Sequence, residues 1–233
     1  MSAVVKFKSD SGNVREDDLF MRIAADIREK GYSINPVALP LDLADNLLKH
    51  VQALGQEHFN RAGIGREKDY IRNDFVRTDE VCWITGESPA GREWLAWAGR
   101  LQQFLNRQLL LGLFSFESHF AHYRPGDFYR RHVDAFKGEA NRVLSLVVYL
   151  NPGWLPNDGG ELVLYLDDAG TSGTAGADIR YEALKVTPAM ATVVAFLSEE
   201  FPHEVLPASR DRYSIAGWYR VNTSTMHKID PPR

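Results

Sequence analysis

The stretch Val143-Leu-Ser-Leu-Val-Val-Tyr-Leu150 is short, mostly apolar and rich in β-branched residues, as is typical of a buried β-strand. Many short strands divided by turn residues indicate two packed sheets. We therefore predict a jelly-roll core, a double-stranded β-helix, over residues 112–221. Further runs of this kind, separated by glycine, proline and aspartate, are Phe114 to Tyr123, Phe128 to Val133, Glu161 to Leu166, Thr192 to Leu197 and Arg212 to Val221.

Helical periodicity dominates the first half of the chain. Apolar residues recur at helical spacing from Leu19 to Lys30, from Leu41 to Leu54 and from Pro89 to about Leu110, and each run predicts a helix. The stretch from Gln56 to Trp83 has no clear period and is long for a connection, so it is either a lid or a plain surface segment. The predicted fold class is α+β, with N-terminal helices flanking the jelly roll.

The length and composition fit one folded unit. A chain of 233 residues with 44% hydrophobic residues can bury a sizeable core without a second one. We expect a single domain over residues 1–233. Its parts are a mobile lead-in at 1–18, mostly helical support with the lid loop at 19–111, and the jelly roll at 112–221.

Charge and cysteine content narrow the class of protein. A net charge of −4 gives no broad basic field, which argues against nucleic acid or an anionic membrane as the main partner. The one cysteine, Cys82, cannot form an internal disulfide. No run of about 18 apolar residues could span a bilayer, and the N-terminus lacks the layout of a secretory signal. These features predict a cytoplasmic protein.

Two histidines and an aspartate are the candidate metal ligands. Residues i and i+2 of a strand point to the same face, so His132 and Asp134 can reach one ion from one strand, while His203 must come from another. Two imidazoles and a carboxylate form the facial set that holds non-haem Fe(II) and leaves positions open. A zinc hydrolase can use the same three residues, so the reaction class stays open at this point.

An arginine follows the second histidine at the start of a strand. Strand alternation places Arg212 on one face with Ser214, Ala216 and Trp218, whereas Arg210 belongs to the preceding turn. The planar guanidinium pairs bidentately with a carboxylate, so Arg212 is a candidate for binding an acidic ligand.

Several short motifs occur in a characteristic order along the second half of the chain. Together they resemble the 2-oxoglutarate and Fe(II)-dependent prolyl hydroxylases, in particular the branch that includes the hypoxia-inducible-factor prolyl hydroxylases and their bacterial relatives. The motifs are Pro125-Gly126, Tyr129, His132-Val-Asp134, Tyr149-Leu-Asn151, Gly159-Gly-Glu-Leu162, Pro202-His-Glu-Val205, and Arg212-Tyr-Ser-Ile215 with Trp218-Tyr219.

The resemblance implies a role for each matching residue. The expected iron ligands and catalytic residues are His132, Asp134 and His203. The expected contacts to 2-oxoglutarate are Arg212, which grips the far carboxylate, with Tyr149 and Tyr123 beside it. The expected substrate contacts are Tyr129, Arg142 and Trp218.

The resemblance also implies the reaction. Fe(II), 2-oxoglutarate and O2, with ascorbate or another reductant, would hydroxylate a prolyl residue of a protein and release succinate and CO2. Bacterial relatives act on translation elongation factor Tu, which makes that protein a candidate substrate. The alternatives are the same chemistry on another residue or a small molecule, a metal-dependent hydrolase, or a jelly-roll binding module. Nucleic-acid dealkylases typically carry a second arginine six residues after the first, where this chain has Trp218.

Overall fold

The computed structural model describes residues 11–61, 75–135, 141–166 and 182–224. Within these residues, two antiparallel sheets pack together and the helices cover the outer face of the larger one. This confirms the predicted α+β class and the jelly roll. The helices are α1 (Ser11–Lys30), α2 (Leu41–Ala53) and α3 (Pro89–Leu109). The strands are β1 (Tyr32–Asn35), β2 (Asn60–Arg61), β3 (Glu80–Trp83), β4 (Ser115–Tyr123), β5 (Tyr129–His132), β6 (Arg142–Tyr149), β7 (Leu162–Leu166), β8 (Glu182–Val186), β9 (Val193–Leu197), β10 (His203–Val205) and β11 (Arg212–Arg220).

The strands form two sheets of unequal size. The larger sheet has the order β1-β9-β6-β11-β4-β3-β2, and the smaller has the order β5-β10-β7-β8. Strands β4 and β11 pair along their whole length, from Arg212 opposite Tyr123 to Arg220 opposite Ser115. The longest described strands therefore lie side by side near the middle of the larger sheet.

The first half of the chain contributes strands as well as helices. The sequence indicates an extended stretch from Tyr32 to Leu39, of which Tyr32–Asn35 forms β1, and a strand-like end at Cys82 and Trp83, which belong to β3. Strand β1 pairs with β9 at one edge of the larger sheet, and β3 pairs with β4 near the other. The pairing uses backbone groups at sheet edges, so even the four-residue segment Tyr32–Asn35 can join the sheet without a strong sequence pattern of its own.

Strand alternation divides the interior into two cores. Leu146 and Val148 of β6 face the helices, where they pack in one apolar cluster with Trp97 of α3. Tyr149 of the same strand faces the smaller sheet, in a second cluster that includes Phe196. The helices thus cover one face of the larger sheet, and the other face lines the space between the two sheets.

Helix α3 has clear start and stop signals. The side chain of Ser88 accepts a hydrogen bond from the Gly91 amide at 3.0 Å, Pro89 opens the first turn, and Leu110 ends the helix in a left-handed conformation. The predicted apolar stripe is buried at Trp94 and Trp97 and continues along the helix. This confirms the third helix as support for the sheet.

The N-terminal helix begins earlier than the sequence predicted. Residues 11–18 had been assigned to a mobile lead-in, but α1 starts at Ser11, while residues 1–10 lie outside the described residues. The carboxylate of Glu16 accepts hydrogen bonds from Arg100 of α3 at 2.6 and 3.0 Å. This contact ties the first half of α1 to α3.

The predicted lid stretch is only partly described. Its first part ends in a short 3-10 turn at Gln56–His58 and β2, and its last part is β3. Residues 62–74 lie outside the described residues, so the lid remains a prediction. In the described part of the chain, no helix combines the length and the apolar character needed to cross a membrane.

Candidate metal centre and cosubstrate pocket

The three predicted metal ligands meet between strands of the smaller sheet. His132 ends β5, His203 begins β10, and the two residues are direct partners in the antiparallel register. The side chains of His132, Asp134 and His203 each offer a ligand atom, and these atoms lie within 4.8 Å of one another. The structure therefore brings together the three residues that could hold one metal ion.

Backbone carbonyls orient both imidazoles. Nδ1 of His132 lies 2.8 Å from the carbonyl oxygen of Arg130, and Nδ1 of His203 lies 2.9 Å from that of Phe201. A carbonyl only accepts hydrogen bonds, so each Nδ1 carries the proton and donates it. The lone pair is left on each Nε2, which is the atom that faces Asp134 at 3.7 Å.

Asp134 is placed differently from the sequence prediction. We expected it to share a strand with His132, but β5 ends at His132 and Asp134 lies in the bend that follows. The pairing of β5 with β10 is irregular between His203 and Val205, and the chain leaves the smaller sheet directly after the bulge. The carboxylate is nevertheless in reach of both imidazoles.

The electrostatics favour the charge states that bind metal. Burial is the main reason that the pKa of His132 falls to about 3, with the neighbouring His203 adding to the effect. Burial alone would raise the pKa of Asp134, but the two imidazoles and the Ser145 hydroxyl outweigh it and hold that pKa at about 2. At neutral pH the site presents a neutral imidazole and an ionised carboxylate, which are the ligand forms.

Arg212, the first residue of β11, has a buried side chain. Its side chain is only 1% exposed, and its guanidinium donates from Nε to the Gly160 carbonyl at 2.8 Å and from Nη1 to Ser214 at 3.2 Å. Among the described residues no carboxylate forms an ion pair with it. A buried cation without a counter-ion is costly, so this position fits an acidic ligand.

The two tyrosines named as expected 2-oxoglutarate contacts both lie next to the guanidinium. Its carbon lies 4.9 Å from the ring centre of Tyr123 and 5.1 Å from that of Tyr149. Tyr149 is fully buried, and its hydroxyl has no hydrogen-bond partner of good geometry within the described chain. Burial raises the pKa of Tyr149 to about 12, although Arg212 partly offsets it, so the phenol is a proton donor awaiting an acceptor.

A glycine makes room for the guanidinium. Gly160 has φ +71°, and a Cβ atom built there would lie 3.1 Å from Cδ of Arg212 and 2.9 Å from Cβ of Ala208. The carbonyl of Gly160 is also the acceptor for Arg212 Nε. Only glycine combines this backbone conformation with so close an approach.

The predicted substrate residue Tyr129 lies against the metal site. Its ring stacks on the His132 imidazole with 3.5 Å between ring centres, and the Arg77 guanidinium covers its other side at 4.3 Å. Arg77 forms a two-pronged ion pair with the fully buried Asp79. Burial opposes the charge on Arg77, but Asp79 outweighs this and raises the pKa of Arg77.

Arg142 and Trp218, the other predicted substrate residues, form one unit. The Arg142 guanidinium lies 3.7 Å from the Trp218 ring centre, and its Nη2 donates to Glu117 at 2.8 Å. Trp218 sits opposite Ser145 in the sheet register, on the side where Asp134 lies, and it contributes to the low pKa of Asp134. The structure thus places this pair beside the metal ligands.

Two further histidines lie on opposite faces of β4, because residues three apart in a strand point to opposite sides, so they cannot share a metal ion. His119 is buried between the rings of Trp83 and Trp218, and burial lowers the pKa of His119 to about 4. His122 contacts Asp211 at 2.8 Å.

Sequence reasoning missed the residues that support the site. Ser145 donates to the Asp134 carboxylate, Glu117 anchors Arg142, and Arg77 with Asp79 braces Tyr129. One signal was available: Ser145 is the only polar residue between Val143 and Val148 in an otherwise apolar run, on the same strand face as Tyr149. The other contacts join distant segments that no local pattern connects.

Comparison with known proteins identifies the class of this site. The family model described as the 2OG-Fe(II) oxygenase superfamily matches residues 118–220, which contain all nine predicted site residues. Its members are enzymes that use Fe(II), 2-oxoglutarate and O2.

Solved structures narrow the class further. A prolyl-4-hydroxylase from Pseudomonas putida is 37% identical, with a TM-score of 0.75, over 87% of this chain and 98% of that one. A prolyl hydroxylase from Trichoplax adhaerens, solved with a peptide fragment of hypoxia-inducible factor, is 24% identical with a TM-score of 0.77 over 92% and 94% of the two chains. A prolyl 4-hydroxylase from Phytophthora capsici shares the fold at 21% identity, with a TM-score of 0.66 over 94% and 68%. The chain belongs to the prolyl hydroxylase family of 2OG-Fe(II) oxygenases.

The space beside Arg212 can be tested with a matched pair of glycines. We expect Gly160→Ala to displace the guanidinium and to weaken 2-oxoglutarate binding at least several-fold, measured by calorimetry on the metal-loaded protein. Gly153 also has positive φ, at +59°, but nothing lies within 4 Å of a Cβ built there. Gly153→Ala should therefore carry the backbone strain alone, about 1 kcal/mol, and leave the affinity unchanged. Equal affinities in the two variants would contradict this account.

The unpartnered phenol gives a second prediction. Tyr149→Phe removes a buried hydroxyl that has no acceptor in the described residues, so the free energy of unfolding without cosubstrate should stay the same or rise. The same change should weaken 2-oxoglutarate binding, because the cosubstrate loses a donor. Denaturant unfolding and a 2-oxoglutarate titration measure the two effects. A loss of stability without a loss of affinity would assign the hydroxyl to the fold instead.

Proposed function

We propose that this protein hydroxylates a prolyl residue in a protein substrate, with 2-oxoglutarate consumed and succinate and CO2 released. One observation carries the proposal: a buried arginine, which no carboxylate of the described residues pairs with, lies in the same inter-sheet space as an open set of two imidazoles and one carboxylate. A hydrolytic zinc site has no use for such an arginine. Kinship to the Pseudomonas putida prolyl-4-hydroxylase supports the choice of target residue.

The three proposed catalytic residues fit Fe(II). His132 and His203 present unprotonated Nε2 atoms, and Asp134 adds one hard oxygen donor, which leaves other positions of the ion open. When bound, the iron together with oxygen and 2-oxoglutarate supplies the oxidation of an unactivated C–H bond. The protein contributes ligand geometry, orientation and exclusion of water.

Arg212 is the proposed anchor for the far carboxylate of 2-oxoglutarate. Its two bonds to Gly160 and Ser214 fix the plane of the guanidinium, so the remaining donors are held in place for a bidentate contact. Tyr149 would donate its hydroxyl, which has no partner among the described residues, to the same carboxylate, while the buried Tyr123 ring lies against the guanidinium. Because the guanidinium is already fixed by its two bonds, less of its ordering is left to the moment of binding.

Tyr129, Arg142 and Trp218 are the proposed substrate contacts. Glu117 uses Nε and Nη2 of Arg142, and the described residues give Nη1 no partner, so this donor is available to a peptide carbonyl. His132 and Arg77 cover the faces of the half-buried Tyr129 ring, so its edge is the part that would meet a substrate. Trp218 is 8% exposed and would act mainly by holding the Arg142 guanidinium in place. The Trichoplax enzyme, which shares this fold, was solved with a peptide.

The identity of the protein substrate is the finer part of the proposal. Translation elongation factor Tu is the candidate that the resemblance to bacterial relatives suggests, and such a substrate would place the enzyme in the cytoplasm. We further propose that residues 1–233 act as one domain, which is supported by the 98% coverage of the Pseudomonas putida enzyme.

Variants of the ligands and of the arginine should fail in different ways. His203→Ala or Asp134→Ala should abolish succinate formation because a facial ligand is lost. Arg212→Lys should mainly raise the KM for 2-oxoglutarate, since an ammonium cannot reproduce the bidentate grip. Arg210→Lys is the matched control, because Arg210 lies exposed in the preceding turn. Normal turnover in either ligand variant would refute the metal assignment.

The target residue can be identified directly. The iron-loaded protein is incubated with a bacterial lysate and 2-oxoglutarate, and peptides that gain one oxygen atom are mapped by mass spectrometry. The expected result is hydroxylation at proline, with elongation factor Tu among the modified proteins. The His203→Ala protein is the control for spontaneous oxidation. Enzyme-dependent gain of oxygen only at other residues would contradict the prolyl assignment.

A further inference from the structure

The three candidate ligands are not held by equivalent means. His132 and His203 face each other in the strand register, and each imidazole is fixed by a backbone carbonyl. Asp134 lies beyond the end of β5, so no ladder of hydrogen bonds fixes its backbone there. Its carboxylate therefore needs an orienting contact from elsewhere in the protein.

That contact comes from the larger sheet. The Ser145 hydroxyl of β6 donates to Oδ2 of Asp134 at 2.6 Å, which is short and typical of a hydroxyl bound to an ionised oxygen. The Ser145 side chain is also 2.9 Å from the hydroxyl of Ser198, at the end of β9. Both serines are buried, at 1% and 0% exposure.

Counting protons fixes the direction of the chain. A serine hydroxyl has one proton, and Ser145 gives it to Asp134, which as a carboxylate can only accept. The contact between the two serines must then have Ser198 as donor and Ser145 as acceptor. A hydroxyl that accepts a hydrogen bond becomes a stronger donor, so Ser198 strengthens the bond to Asp134.

The sheet itself holds the two serines in place. The Ser198 amide donates to the Val143 carbonyl at 3.0 Å, which ties the end of β9 to the start of β6. Strand β6 is paired on both sides, with β9 and with β11. The hydroxyls are thus attached to a strand that is hydrogen-bonded on both sides and to the turn that follows its neighbour β9, across from the irregular segment that carries Asp134.

We propose that Ser198 and Ser145 form a hydroxyl relay that positions the Asp134 carboxylate for metal binding. They are positioning residues, because they act through Asp134 and do not touch the metal. The larger sheet thereby sets the third ligand, while the smaller sheet sets the first two. The proposal rests on the metal triad proposed above.

The test measures metal affinity without turnover. Mn(II) is titrated into the metal-free full-length protein by calorimetry, in the absence of oxygen and 2-oxoglutarate. Loss of a contact that orients a ligand typically costs roughly 10- to 100-fold in affinity. We expect Ser145→Ala to show a loss of that size and Ser145→Thr, which keeps a hydroxyl, to recover most of it.

A matched serine separates positioning from general stability. Ser33 of β1 is also fully buried, and its hydroxyl donates to the Asp26 carboxylate at the same distance of 2.6 Å. Neither residue contacts the metal ligands. Ser33→Ala should leave the Mn(II) affinity within about twofold of the parent. An equal loss of affinity in Ser33→Ala and Ser145→Ala would overturn the proposal.

The order of the relay gives a sharper criterion. Ser198→Ala should weaken Mn(II) binding less than Ser145→Ala, and it should add no further loss in the double variant, since Ser198 acts only through Ser145. Additive losses would show that the serines are not linked. If Ser145→Ala does not fold, Ser198→Ala alone tests the relay. An unchanged Mn(II) affinity in Ser198→Ala would then exclude it.

His203→Ala distinguishes failure of the relay from failure of the site. If His203→Ala abolishes Mn(II) binding while Ser145→Ala binds like the parent, the triad is the metal site and the relay is wrong. If His203→Ala binds Mn(II) normally, the metal assignment itself is wrong.

Discussion

The register between β5 and β10 is the constraint on which the site depends. It sets His132 directly opposite His203 in the smaller sheet. Successive side chains of a strand point to opposite faces, so a slip of one residue would turn one imidazole away from the other. The carbonyls of Arg130 and Phe201 then select the tautomer and leave both Nε2 atoms free for an ion. Backbone pairing thus determines how the two imidazoles are placed relative to each other.

The larger sheet supplies most of the remaining proposed contacts, while Tyr129 comes from β5 of the smaller sheet. The inner face of the larger sheet carries the proposed cosubstrate contacts Arg212 and Tyr149, Ser145 beside the third proposed ligand, and Trp218 with Arg142 beside it. Among the described residues the buried guanidinium has no carboxylate partner and the buried phenol has no acceptor, and each such group costs stability in the free protein. Proteins accept such costs at functional sites, where a ligand supplies the missing partner.

Much of the fold and the centre of the site could be predicted from the sequence. Apolar periodicity predicted the helices and most of the strands. The spacing of the two histidines, the aspartate and Arg212 predicted the metal residues. The short strand His203–Val205 has too few residues to show a pattern, and β1 joins the sheet through edge pairing that depends on a distant partner. The bend that carries Asp134 could not be predicted either, because the end of β5 also depends on pairing with a distant strand. Contacts such as that of Glu117 with Arg142 arise from register across strands, which a single sequence does not display.

The segment that leads into β3 is bound closely to the metal centre. Val76 and Thr78 exchange backbone hydrogen bonds with Arg130 and Phe128, and the Arg77 guanidinium presses on the ring that stacks against His132. This contact sets a limit for replacing the segment with a foreign sequence: a replacement that extends through Arg77 would also remove the cation that covers the Tyr129 ring next to His132.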